Sequence, residues 1–210
     1  MSTLLYIQAS PRAERSYSRA VADALVEAYG QAHPDDRVVT RDLFRMELPA
    51  FDGAALEAKY AILHGQDPSS DQQKAWAGVE AVINEFKSAD RLVFAVPMWN
   101  FGVPYRLKQY MDVIIQPGYT FSFSPESGYT GLVKDRPAVV VYARGGEYAE
   151  GTDMAAYDLQ KPTVDGLLRF IGFEDIRSIV VEPTLAGGPD TAAARKAAAV
   201  TEAEEIAATL

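Results

Sequence analysis

The residues whose types and spacing could do chemistry fall in three short loops. The first is Gln8-Ala9-Ser10-Pro11-Arg12-Ala13-Glu14-Arg15-Ser16-Tyr17-Ser18. Here Ser16 or Ser18 stands where the next helix needs an N-cap, so hydroxyls, free backbone N–H groups and the positive end of a helix converge. The first glycine of the chain is Gly30. A Gly-x-Gly-x-x-Gly turn and a phosphate-loop lysine are therefore both missing, and the loop cannot lay bare backbone against a pyrophosphate. A terminal monophosphate fits it better. An ordinary capped helix explains one serine, but not Ser10, Ser16, Ser18 and Arg12 together.

The second loop is Pro97-Met98-Trp99-Asn100-Phe101-Gly102-Val103-Pro104. It follows the apolar run 92–96, which reads as a buried parallel strand. An aromatic pair, an amide, a glycine and two prolines without charge suit a flat, neutral ring system. Pro97 and Pro104 restrict the backbone, and Gly102 allows a left-handed residue or a close approach, so a rigid loop is expected. The plainer reading is a loop that caps a core. The third loop, Arg144-Gly145-Gly146-Glu147-Tyr148, follows the strand-like run 138–143. Two adjacent glycines remove both Cβ atoms, so their N–H groups can approach the edge of a planar heterocycle. Such a pair is more often a plain turn and gains weight only beside the other two loops.

These loops need a frame. Strands are expected at 4–9, 37–43, 92–96, 138–143 and 176–181, and helices at 18–29, 71–87, 105–115, 159–170 and 191–210. Strand and helix in alternation imply an α/β fold, a five-stranded parallel sheet with helices on both faces. In such sheets ligands sit beyond the carboxyl ends of the strands, where all three loops fall. The segment 119–133 has alternating aromatics around a turn and reads as a β-hairpin insertion. The stretch 47–66 reads as an irregular or helical excursion.

Composition sets the outer limits. The chain has 210 residues, 48% of them hydrophobic, and no linker-like stretch, which predicts a single domain over 1–210. A net charge of −9 argues against nucleic acid as a partner. The absence of cysteine excludes disulfides, thiolate metal sites and a cysteine nucleophile, and fits a reducing compartment. Neither a signal segment nor an 18-residue apolar run is present, so the expectation is a soluble cytoplasmic protein with no membrane partner. His33 and His64 share no ligand spacing with acidic residues, and no metal is predicted.

A monophosphate site, a flat-ring site and edge-on amides together describe FMN on a flavodoxin-like three-layer sandwich. Ser-Pro-Arg at 10–12, Ser-Tyr-Ser at 16–18, the Pro97–Pro104 loop, Leu107-Lys108-Gln109-Tyr110-Met111-Asp112, the Tyr-Thr-Phe segment at 119–121 and Arg144-Gly145-Gly146 resemble the FMN-dependent NADH:quinone oxidoreductases, also called azoreductases. The resemblance implies a homodimer with FMN at the subunit interface. It implies a ping-pong reaction in two-electron cycles in which NADH or NADPH reduces quinones to hydroquinones in one cycle and azo compounds to amines in two. By matching position, Ser10, Arg12, Ser16, Tyr17 and Ser18 would hold the phosphate. Pro97, Met98, Trp99, Asn100 and Phe101 would line the isoalloxazine, and Ala143, Arg144, Gly145 and Gly146 would meet its edge. Trp99 stands where the family more often has tyrosine, and Ala143 where it often has a hydroxyl. Phe121 and Phe173 are expected as a substrate-stacking wall.

The flavin carries the hard chemistry, so no catalytic side chain is expected. A 2′-phosphate on the coenzyme would need Arg12, Arg144 or Lys161 nearby. The alternatives are a flavodoxin-type electron carrier, against which the aromatic hairpin argues, and a non-catalytic FMN-binding module.

Overall fold

The β-branched runs of the sequence become the middle layer of the molecule. A computed structural model describes residues 1–210. Its chain runs β1 (Thr3–Gln8), α1 (Tyr17–Ala32), β2 (Arg37–Asp42), α2 (Gly53–Leu63), α3 (Ser70–Ser88), β3 (Arg91–Pro97), α4 (Tyr105–Ile114), β4 (Phe121–Ser124), β5 (Gly128–Gly131), β6 (Ala138–Ala143), α5 (Lys161–Ile171), β7 (Ile176–Val181) and α6 (Gly188–Ala207). Single 3₁₀ turns lie at Ala13–Arg15 and Ala155–Tyr157. The main sheet has the order β2-β1-β3-β6-β7, and every neighbouring pair is parallel.

Alternation along the strands sorts the core into two layers. Leu4, Tyr6, Val93, Ala95, Val139 and Val141 face α1 and α6. Leu5, Ile7, Leu92, Phe94, Val140 and Tyr142 face the layer built from α3, α4 and α5. Alanines 192, 199, 203 and 207 are the buried residues of α6, and their small side chains let it pack closely beside α1. The chain passes from β1 out to β2 and returns to β3 on the other side of β1. This reversal of strand order opens a crevice at the carboxyl ends of β1 and β3, the usual ligand position in doubly wound sheets.

Helix boundaries follow local chemistry. Ser16 caps α1, Asp52 caps α2 through Ala54 N–H and Ala55 N–H, and Ser69 forms a capping box with Gln72 before α3. The excursion at 47–66 thus contains one capped helix. The last helix begins earlier than expected, because Pro189 sits in its first turn, where a missing N–H costs little.

A Schellman motif ends α5: Gly172 has φ 118°, its N–H reaches Arg169 O at 3.0 Å, and Phe173 N–H reaches Leu168 O at 3.1 Å. This corrects the expectation for Phe173. Its N–H closes the helix end and its ring turns inward, only 2% exposed, packing against Phe86 with ring centroids 6.1 Å apart. It belongs to the core and not to a substrate wall.

The expected hairpin is β4 paired antiparallel with β5, and backbone holds it to the end of α5. Val133 N–H donates to Ile171 O at 2.8 Å. A Cβ on Gly131 would lie 2.3 Å from Gly172 N and 2.4 Å from Ile171 C. Overpacking of this kind typically costs about 1–3 kcal/mol. Gly131→Ala is expected to lower the unfolding free energy from urea titration by that amount, and an unchanged value would show that the hairpin is not anchored there.

At the opposite end of the sheet Asp36 accepts from Ser2 N–H at 2.5 Å and Tyr29 Oη–H at 2.6 Å. The Ser2 N–H, followed by the Tyr29 hydroxyl, holds its carboxyl below the ordinary aspartate value of 3.8. The folded state therefore prefers the ionised form. Its contribution is present above the ordinary value and is lost as pH falls through the folded one. Melting temperatures of the wild type and Asp36→Asn should differ at pH 7 and converge toward pH 2.5; a constant gap would remove Asp36 from the acid limb.

Candidate active site

The carboxyl ends of β1, β3 and β6 stop side by side, with Gln8 opposite Ala95 and Pro97 opposite Ala143. All three sequence loops therefore emerge along one edge. In the first, Ser10, Ser16 and Ser18 are buried. Ser10 Oγ accepts from Arg12 N–H at 3.4 Å, Ser16 Oγ accepts from Arg19 N–H at 3.4 Å, and Ser16 Oγ lies 3.2 Å from Ser18 Oγ. The N–H groups of Tyr17 and Ser18 donate to no backbone acceptor in the chain. Hydroxyls and N–H groups at a helix start make a cradle for an anion. Arg12 is exposed on its rim and lines a cavity of about 450 Å³ with Arg15, Ser16, Tyr17 and Lys196.

The second loop is a tight turn. Trp99 and Gly102 exchange N–H···O bonds of 3.0 and 2.9 Å, and Met98 N–H donates to Ala143 O at 2.8 Å. The left-handed residues are Asn100 at φ 47° and Phe101 at φ 68°. The expected need for glycine at 102 is not met: an added Cβ there would face only Trp99 O at an ordinary 3.8 Å. Asparagine tolerates this conformation, but phenylalanine does not, and such strain costs about 1–3 kcal/mol. Contacts hold Phe101 in place. Its carbonyl accepts from Leu159 N–H at 3.0 Å, and its ring packs against Tyr157 at 5.2 Å and Tyr148 at 6.3 Å. The turn leaves the N–H groups of Asn100 and Phe101 without backbone acceptors. Phe44 and Tyr105 back the Trp99 ring at 5.7 and 6.2 Å. Beside it opens a cavity of about 860 Å³ lined by Phe51, Trp99, Asn100, Tyr105 and Leu159 among others, within the range that takes a small organic ligand.

In the third loop Ala143 is buried and its carbonyl already serves Met98. The Gly145 carbonyl accepts from Leu185 N–H and Ala186 N–H, while the Gly145 and Gly146 N–H groups have no backbone acceptor. Arg144 needs a correction. Its side chain is 3% exposed and turns away from the crevice to Asp158 at 2.7 Å, Gln160 at 3.0 Å and Glu182 at 3.3 Å. Its backbone is committed as well: the N–H donates to Val181 O at 3.0 Å, and the carbonyl accepts from Thr184 N–H at 2.9 Å and Thr184 Oγ1 at 2.8 Å, so Arg144 supports the loop and the free donors are those of Gly145 and Gly146. A guanidinium so paired, and Lys161 bound to Asp165, are not free for a coenzyme phosphate; Arg12 remains.

Phe121 lies in an aromatic cluster away from the cavity beside Trp99. Its ring is 4.8 Å from Phe170 and 6.0 Å from Tyr129, and Phe123 stacks on Tyr129 at 5.0 Å. Phe170 was not expected at a site. Val164, Leu168 and Ile171 form the buried stripe of α5, so an aromatic at 170 falls off that stripe, which is a signal legible in the sequence. Phe44, Tyr157 and Leu159 gave no such signal, because they reach the loops from distant segments.

A family described by its flavodoxin-like fold matches residues 2–207. The chain is 55% identical over 207 residues to the FMN-dependent NADH:quinone oxidoreductase of Nitratidesulfovibrio vulgaris strain Hildenborough, covering 99% of each. It is 48% identical over 206 residues to the protein of that name from Desulfotalea psychrophila, covering 98% of this chain and 95% of the relative. Among solved structures, an azoreductase from Bacillus anthracis strain Sterne superposes with a TM-score of 0.93 at 32% identity, with full coverage of both chains. An FMN-dependent NADH-azoreductase from Bacillus anthracis strain Ames Ancestor, in complex with FMN, gives 0.89 at 27% identity, covering 100% of this chain and 99% of that one.

Proposed function

The chain belongs to the flavodoxin-like FMN-dependent NADH:quinone oxidoreductases and azoreductases, and from that membership we propose how its residues carry the activity. The protein is an FMN-dependent oxidoreductase that uses NADH to reduce quinones to hydroquinones and azo compounds to amines. The observation that carries the site assignment is the row of unpaired N–H groups at three adjoining strand ends, on Tyr17 and Ser18, Asn100 and Phe101, and Gly145 and Gly146. Their spread suits one elongated ligand with a phosphate at one end and a carbonyl-rich ring at the other.

Ser10, Ser16, Tyr17 and Ser18 take the phosphate, with Arg12 at the rim. Pro97, Met98, Trp99, Asn100 and Phe101 line the isoalloxazine, and in the segment from Ala143 to Gly146 the free N–H groups of Gly145 and Gly146 meet its edge. Trp99, braced by Phe44 and Tyr105, gives the ring system a fixed apolar neighbour. FMN held there would supply reversible hydride acceptance, and a ping-pong order, in which the coenzyme leaves before the quinone or azo compound enters, would let both use the face beside Trp99. No side chain is assigned as acid, base or nucleophile; His33 and His64 cap the ends of α1 and α2.

We read the chain as one FMN-binding domain that works as a homodimer in the cytoplasm, where NADH is supplied. Support for the dimer comes from Phe123 and Tyr129, which are 62% and 66% exposed in a cluster with Phe121 and Phe170. Contiguous exposed aromatics of this kind mark interfaces. In the dimer, Phe121 would stand over the partner's flavin rather than its own.

Two measurements test this reading. In an anaerobic visible spectrum of the FMN-reconstituted protein, NADH should bleach the flavin band and menadione should restore it; bound FMN that NADH leaves oxidised would mean a carrier or binding module. Ser16→Ala should weaken FMN binding by about 1–2 kcal/mol, or roughly 5–30-fold in Kd. An unchanged Kd in a flavin-fluorescence titration would take the phosphate away from this loop.

A further inference from the structure

Gln160 is completely buried at the N-cap of α5. Its Nε2 donates to the carbonyl of Val96 at 2.9 Å, at the end of β3 and immediately before the Pro97 loop. Its Oε1 accepts from Arg144 Nε at 3.0 Å, at the start of the Gly145-Gly146 loop. One amide side chain thus spans the second and third ligand loops, with both ends satisfied.

The residues beside it do the same. Asp158 Oδ1 accepts from the N–H groups of Gln160 and Lys161 at 3.1 Å each, while Asp158 Oδ2 takes Arg144 Nη2 at 2.7 Å. Leu159 N–H donates to Phe101 O at 3.0 Å, the strained residue of the tight turn. Glu182 accepts from Arg144 Nη1 at 3.3 Å and from Tyr148 N–H at 3.0 Å. The segment 158–160 therefore touches the turn at Phe101, the strand end at Val96 and the guanidinium of Arg144 at once.

We propose that Gln160 is a positioning residue that couples the Pro97 loop to the Gly145-Gly146 loop, so that both stand in register for one ligand; this rests on the assignment of those loops to FMN. The chemistry is specific to an amide. A donor is required at Val96 O and an acceptor at Arg144 Nε, and only an amide offers both on a side chain of this length. Leaving buried polar groups unpaired costs the full penalty of their desolvation. The two loops lie far apart in sequence, and the remaining direct hydrogen bond between them is Met98 N–H to Ala143 O. Without Gln160 the direct tie from Val96 to Arg144 is lost, and the loops are left with that bond, the Phe101–Tyr148 ring contact and the outer bonds of Asp158 and Leu159.

Glutamate keeps the acceptor for Arg144 but, when ionised, has no donor for Val96; methionine has neither. Amide hydrogen exchange, read by mass spectrometry on the flavin-free protein, separates these cases. Gln160→Glu should speed exchange about tenfold over 96–104, which is about 1.4 kcal/mol, and leave 143–148 at the wild-type rate. Gln160→Met should speed both segments, with α1 and β1 unchanged, and in the reconstituted protein raise the FMN Kd about tenfold. Unchanged exchange in both loops, or a uniform rise across the sheet, would overturn the proposal. Should Gln160→Met fail to fold, Gln160→Glu decides alone. Failure of the wild type to bind FMN would sink the site assignment, while the exchange pattern would still show whether the loops are coupled.

Discussion

The parallel register of β1, β3 and β6 is the constraint on which the site depends. Parallel pairing forces neighbouring strands to end at the same edge, and the two-sided burial of these three strands leaves that register no freedom to slip. Three loops that are far apart in sequence then share one rim. Because the strand order reverses at β1, the first two loops diverge and leave room between them. The ligand position is therefore a property of the sheet, and the loops supply only its chemistry.

What the loops supply is largely backbone. Serine hydroxyls fix the start of α1, but the groups left over are amide N–H donors at each strand end. Presenting them took strain at Phe101, and that strain is balanced from outside the loop by Leu159 N–H, Tyr148 and Tyr157. Arg144 shows the same division of labour. Its backbone ties the end of β6 to Val181 and Thr184, while its charge is consumed inside by Asp158 and Glu182. A lone buried guanidinium would be costly; paired with two carboxylates and an amide, it anchors the third loop from behind.

Much of this was legible in the sequence because period and punctuation are local. The strand runs, the Ser16 cap and the aromatic hairpin depend on neighbours a few residues away, and they appear where expected. The misreadings share one cause. Gly102 looked like the flexible residue of its loop, yet Asn100 and Phe101 carry the left-handed backbone, because a hydrogen bond from Leu159, distant in the chain, selects that turn. Phe173 looked like a site aromatic, yet the glycine before it ends a helix and turns it into the core. Arg144 looked like a ligand contact, and only its three-dimensional partners reveal that its charge is spent. Long-range partners decide these cases, and a single sequence does not display them.

The contact between Gly131 and Gly172 decides how the aromatic hairpin is carried. Backbone packed on backbone has no side chain to swing aside, so the hairpin moves only if the end of α5 moves with it. An aromatic surface mounted this way behaves as a wall and not as a lid. Whatever meets Phe123 and Tyr129 meets a surface already set in place, and it does not have to order that surface first.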